Sequence, residues 1–250
     1  MTLFGHRVPM VASILVWCLL WEIVGQAGVM YLVPPFSSVL VAVAELVQVG
    51  KFQAATVTTL RAFAIGMALA IGVGVALGVL MGRVVAADRL LGMWVNLFVS
   101  APLTALVPVL MILFGIGERT IIVSVFLFAV WIIALDTRAG VRHVSTSLVD
   151  MGRCYGASRW QLYTRIIVLA ALPEILAGIR LGLIRGVKGV VIGQLLVSII
   201  GYGELFELYS RNFLMEEFWA LTILLFAFAM LVSEGVALLE KRIEYYAGVR

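Results

Sequence analysis

Long apolar runs are the feature that most limits what this chain can become. Six of them, at about 8–32, 58–82, 90–114, 120–136, 173–197 and 219–239, alternate with polar stretches. A bilayer core of about 30 Å takes roughly 20 apolar residues in a helix, because each residue rises 1.5 Å. Backbone N–H and C=O groups find no water there, and a helix is the way a single segment satisfies them. The 250 residues are 63% hydrophobic and 13% charged. A soluble domain sits near 45–50% apolar and about 25% charged. With 18 Lys and Arg and 14 Asp and Glu, the chain cannot cover its apolar surface with charge. Disorder, a soluble enzyme and a secreted disulfide scaffold are excluded, and several membrane-spanning helices are expected.

The net charge of +4 fits the Lys and Arg excess of cytoplasmic loops better than a nucleic-acid partner. With the N-terminus inside, eleven cations fall in inner segments and four (Lys51, Arg61, Arg119, Arg211) in outer ones. The remaining Arg180, Arg185 and Lys188 lie in the fifth span. Both termini are therefore expected in the cytoplasm. His6 and Arg7 ahead of an apolar run resemble a signal-peptide start. No small-residue cleavage site follows promptly, so the run reads as a retained first helix. Cys18 sits in that run and Cys154 in a basic polar segment. They are not expected to meet, and His6 and His143 are too few for a metal cluster.

Between the spans, 36–57 carries apolar residues at helical spacing after Ser37-Ser38 and reads as a short interfacial helix. Gly66, Gly72, Gly74, Gly78 and Gly82 in the second span are small residues of the kind that let helices approach closely in lipid. Residues 198–218 read as an outer loop. The longest polar segment, 137–172, is not a simple loop. Residues 147–155 read as helix, and Gly156 as its stop. Ser158 with Gln161 three residues on forms a capping-box pattern. The helix that follows is expected to gather Trp160, Tyr163, Ile166 and Ile167 on one face. A helix–glycine–helix knob with aromatics, held between two spans, suits docking of a soluble partner.

Asp150-Met151-Gly152-Arg153-Cys154-Tyr155-Gly156-Ala157-Ser158-Arg159-Trp160-Gln161-Leu162, followed by Leu172-Pro173 and Gly178, resembles the EAA motif of bacterial ABC importer permeases. Leu32-Val33-Pro34, Ser37-Ser38-Val39, Thr59-Leu60-Arg61, Pro102 with Pro108, Phe114 through Glu118, and Gly201-Tyr202-Gly203 fit the nitrate/sulfonate/taurine-type branch. The likeness covers nearly the whole chain, and the order and spacing of the motifs carry it. The triplet departs as Asp150-Met151-Gly152, Leu169 replaces a usual proline, and Gln194 stands where this branch often has glutamate.

The resemblance implies an all-α integral membrane fold of six transmembrane helices, of the MetI-like type I importer permease kind, as a single domain over 1–250. It implies that 150–165 couples the chain to a separate ATPase. Asp150, Gly152, Gly156, Ala157, Ser158 and Trp160 would carry that contact. The partners implied are two ATP-binding subunits, a second copy of the permease and an extracytoplasmic solute-binding protein. The chain is expected to be no enzyme and to bind no cofactor. It has no phosphate-cradling Gly-x-x-x-x-Gly-Lys-Ser/Thr loop, so ATP and Mg would sit on the partner.

Ser100, Pro102, Thr104, Pro108, Lys188, Gln194 and Ser198 are the expected path-lining residues, because prolines free carbonyls and polar groups in spans line cavities. A charge at mid-membrane costs about 2.5–3.5 kcal/mol or more unless paired or wet. Glu22 and Lys188 match in depth and could pair. Alternatively, Lys188 faces the path and attracts an anionic solute. Arg180 and Glu234 match near the inner face and read as a structural pair. Two other functions stay open, an ion-gradient-driven transporter and a membrane anchor for a peripheral protein.

Overall fold

The computed structural model describes residues 2–3, 6–7, 10–28, 30–197 and 199–247. The chain is helical from Met10 onward. The helices are α1 (Met10–Gln26), α2 (Phe36–Leu46), α3 (Gly50–Arg83), α4 (Val85–Ser100), α5 (Val107–Phe114), α6 (Glu118–His143), α7 (Thr146–Cys154), α8 (Arg159–Ala170), α9 (Leu172–Val197), α10 (Tyr202–Arg211) and α11 (Met215–Ala247). Among the described residues α3, α6 and α11 are long and apolar enough to cross a membrane. Two bent pairs, α4 with α5 and α8 with α9, add two more spans if each is counted as one. The apolar α1 is shorter.

The centre of the molecule is α6, clasped between α3 and α9. Glycines make the clasp. On α3, a Cβ at Gly66 would meet Val125 at 2.7 Å, one at Gly74 would meet Ile133 at 2.9 Å, and one at Gly78 would meet Thr137 at 2.4 Å. On α9, Gly182 lies as tightly on Ile133 and Gly178 on Asp136. Helices in lipid gain little from apolar burial and associate through close packing, which small residues at four-residue spacing permit. Gly72, grouped with these by sequence, faces open space. Ala62, Ala70, Val125, Ala129, Ile133 and Val190 fill the core between the three helices.

Several boundaries differ from the sequence reading. The interfacial helix stops at Leu46, and 50–57 belongs instead to α3, whose Phe52, Ala55 and Thr59 continue the buried stripe outward. The third span is broken, and α4 meets the Leu103–Phe114 segment at 97°. Pro102 offers no N–H, and Ala101 before it is extended (φ −69°, ψ 146°), as a pre-proline residue prefers. Asp136, Arg138, Arg142 and His143 lie on α6, which runs to His143 rather than ending at 136. Within the expected outer loop, α10 packs Tyr202, Leu205, Phe206 and Tyr209 onto α2 and α11 residues. The last helix continues past 239 to Ala247.

Candidate functional site

The knob at 150–165 is built from short-range rules. Gly156 has φ +75°. The Gly156 N–H donates to the Arg153 carbonyl at 2.9 Å, and the Ala157 N–H donates to the Gly152 carbonyl at 3.0 Å. These paired bonds form a Schellman closure, and a left-handed residue at its centre favours glycine. Ser158 then opens α8. Its N–H donates to Gln161 Oε1 at 2.8 Å, and the Gln161 N–H donates to Ser158 Oγ at 3.3 Å, completing the capping box. Two rigid ends thus face each other across one residue, Ala157.

Packing fixes the angle between α7 and α8. A Cβ at Gly152 would lie 2.4 Å from Ile166 Cδ1 and 2.7 Å from Leu162 Cδ2, so any side chain there must push the ends of these two side chains aside. The segment Leu162–Ile167 is wound as a π-helix, which places Leu162 and Ile167 inward. Trp160 consequently turns out, 76% exposed, instead of sharing one face with Ile167. Tyr155 at 87% and Met151 at 49% join it on the surface. Asp150 pairs with Arg153 at 3.1 Å, but both side chains are mostly exposed, so the pair holds little.

The knob is rooted in the spans. Val141, Val144, Val149, Ile167, Ala171 and Ile175 form one cluster that joins α6, α7, α8 and α9. Asp88, in the first turn of α4, forms ion pairs with both Arg138 and Arg142. The α3–α4 turn is therefore tied to the C-terminal end of α6 by charge.

The expected path residues separate into groups. Ser100, Pro102, Thr104 and Pro108 are all exposed at the break between α4 and α5. Lys188 is exposed on α9. Gln194 is 1% exposed and does not face an opening in this chain. Its Nε2 donates to Thr59 Oγ1 at 2.8 Å, and Gly201 and Gly203 press on it. An amide in so dry a place needs a fixed partner, and Thr59 supplies it. Ser198 lies outside the described residues. Glu22 does not pair with Lys188. It accepts from the Ser37 N–H at 2.8 Å, Ser37 Oγ at 2.9 Å and Gln26 Nε2 at 3.0 Å, and so caps α2 from α1. Arg180 is half-buried on α9 and Glu234 exposed on α11. Arg185 was not singled out by sequence. Its guanidinium donates to the Val99 carbonyl at 3.4 Å, at the free end of α4. A cation three residues before Lys188, level with a proline break, was the available signal.

Residues 70–245 match the family described as binding-protein-dependent transport system inner membrane component. The carnitine transport permease protein OpuCD of Listeria monocytogenes is 32% identical over 53% of this chain and 59% of its own. The taurine transport system permease protein TauC of Escherichia coli is 29% identical over 68% of this chain and 62% of its own. The chain thus spans about three fifths of the length of these two relatives. The bicarbonate transport system permease protein CmpB of Synechocystis is 27% identical over 96% of this chain and 89% of its own. A chain in an inward-facing structure of the MetNI methionine ABC transporter superposes with a TM-score of 0.63 at 21% identity, over 74% of this chain and 93% of that one, which establishes a shared fold. The helical architecture and the match over 70–245 lead to one assignment: the chain belongs to the family of binding-protein-dependent transport system inner membrane components.

Proposed function

We propose that this chain is the permease subunit of an ATP-driven, binding-protein-dependent importer of a small anionic solute. The carrying observation is the knob. Tyr155, Trp160 and Met151 stand exposed on a turn locked by a Schellman closure and a capping box, and the turn is rooted in two spans. Such a surface gives a soluble engine a firm hold on the membrane helices. In this reading two ATP-binding subunits seat on 150–165 of two permease copies, and an extracytoplasmic binding protein delivers the solute to the outer face. Both termini lie in the cytoplasm, in a bacterial inner membrane. The spans then open alternately to each side. Relatives are named for taurine, bicarbonate and carnitine, which each carry an oxyanion group, in taurine and carnitine beside a cationic nitrogen, and this supports a solute with an oxyanion group.

The test is ATPase activity in proteoliposomes holding this chain with its ATP-binding subunit. Hydrolysis should rise when the loaded binding protein is added outside and should need all three components. Hydrolysis indifferent to the permease or to the binding protein would overturn the reading.

A further inference from the structure

Lys188 lies on a face of α9 turned away from the glycines that close on α6 and α3. On that side Ile184, Lys188 and Val191 look across to Leu225, Ala229 and Val232 of α11 and line a groove of about 340 Å³. Lys188 is the one charged residue in the lining. It has no carboxylate within ion-pair distance among the described residues. Neither Glu22 nor Asp136 reaches it. Glu22 caps α2, and Asp136 sits against Gly178, ten residues before Lys188 on α9.

Depth sharpens the point. Lys188 stands 16 residues from Leu172 and nine from Val197, so about 24 Å and about 13 Å from the two ends of α9. That is further than a lysine stem can snorkel to an interface. An ammonium so far from both helix ends is most stable where water or an anion reaches it, which argues against turning this face of α9 to lipid.

We propose that the groove between α9 and α11 is a wetted stretch of the translocation path, with Lys188 as the charge contact for a small solute bearing one compact oxyanion group. The inference rests on the importer reading above. Apolar walls leave only a narrow column of water beside the ammonium, so it is screened less than in bulk water and attracts an anion. The same walls offer the rest of the solute no polar hold, which lets it leave again, as conduction through a site requires.

The experiment uses the full chain, with Cys18 and Cys154 replaced by serine, assembled with its ATP-binding subunit and binding protein in membranes. Val191→Cys and Ala229→Cys each place one thiol in the groove. Each is reacted with an anionic probe, sulfonatoethyl methanethiosulfonate, and a cationic one, trimethylammonioethyl methanethiosulfonate. Both thiols should react, and the anionic probe should be favoured roughly tenfold after correction for intrinsic rates. Lys188→Met should bring that ratio close to one, whereas Lys188→Arg should preserve it. Thiols that stay unreactive would overturn the proposal by showing a groove sealed by lipid or by a second copy. A ratio indifferent to Lys188→Met would overturn it equally. Binding-protein-stimulated ATPase, measured on the same preparations, reports separately on the importer reading.

Discussion

Gly152 of α7 and Ile166 of α8 are in such close register that a Cβ on the glycine would come within 2.4 Å of the isoleucine Cδ1. This contact sets how closely α8, which carries the exposed Trp160, lies against α7, because a large side chain at 152 would have to displace both Ile166 and Leu162. Gly152→Leu should therefore swing α8 away. Overpacking of this kind costs about 1–3 kcal/mol locally. Stimulated ATPase is expected to fall by roughly five- to a hundredfold, since 1.4 kcal/mol is a factor of ten, with insertion into the membrane unchanged. Gly152→Leu with Ile166→Ala should recover part of the loss.

Gly156 makes a different demand, because its φ of +75° is the constraint and a Cβ there would meet nothing within 4 Å. Gly156→Asn should be the mildest substitution, since asparagine tolerates this region. Gly156→Ala should cost about 1–2 kcal/mol. Gly156→Pro should abolish coupling, because proline fixes φ near −65° and removes the N–H that donates to the Arg153 carbonyl. Co-purification of the ATP-binding subunit ranks the three, and equal retention by all of them would contradict the argument.

Two glycines on α3 give an internal control. Gly78→Val should drive a side chain into Thr137 and the Ala134 carbonyl and sharply reduce the yield of folded protein. Gly72→Val, six residues away and facing open space, should be nearly silent. Fluorescence-detected size exclusion in detergent distinguishes them.

Thr59 and Gln194 form a bond between residues 135 positions apart. Thr59→Val alone takes this partner from the buried Gln194 amide, at about 1–3 kcal/mol, whereas Gln194→Leu leaves the Thr59 hydroxyl still donating to the Ala55 carbonyl and should cost less. The double variant should be less destabilised than the sum, and thermal unfolding in detergent measures the difference. Additive effects would show that the bond contributes nothing.

The knob was legible because its rules act over two to five residues. A glycine stop, a Ser158–Gln161 box and the turn between them are written in consecutive positions. The close-packed face of α3 was legible for the same reason, although its register was not, since Gly72 sits among the others and touches nothing. What escaped depends on helix rotation or on distant partners. Depth alone made Glu22 and Lys188 look like a pair, but Glu22 turns toward Ser37. Gln194 looked available to a solute because nothing in its neighbourhood names Thr59. Arg138 and Arg142 looked like loop residues, yet Asp88 holds them on the last turns of α6. The outward turn of Trp160 follows from a π-helical winding that 3.6-residue counting does not anticipate.

The glycine seats along α3, α6 and α9 bear on how force would travel through the molecule. Backbone rests against side-chain roots there, with no layer of flexible stems between the helices to absorb a displacement. A displacement of α6 would therefore pass to α3 and α9 with little play. Compliance is left to the two elbows, the 97° bend at Ala101-Pro102 and the 66° bend between α8 and α9. The three central helices behave as one stiff beam, and these elbows are where a stroke would begin and end.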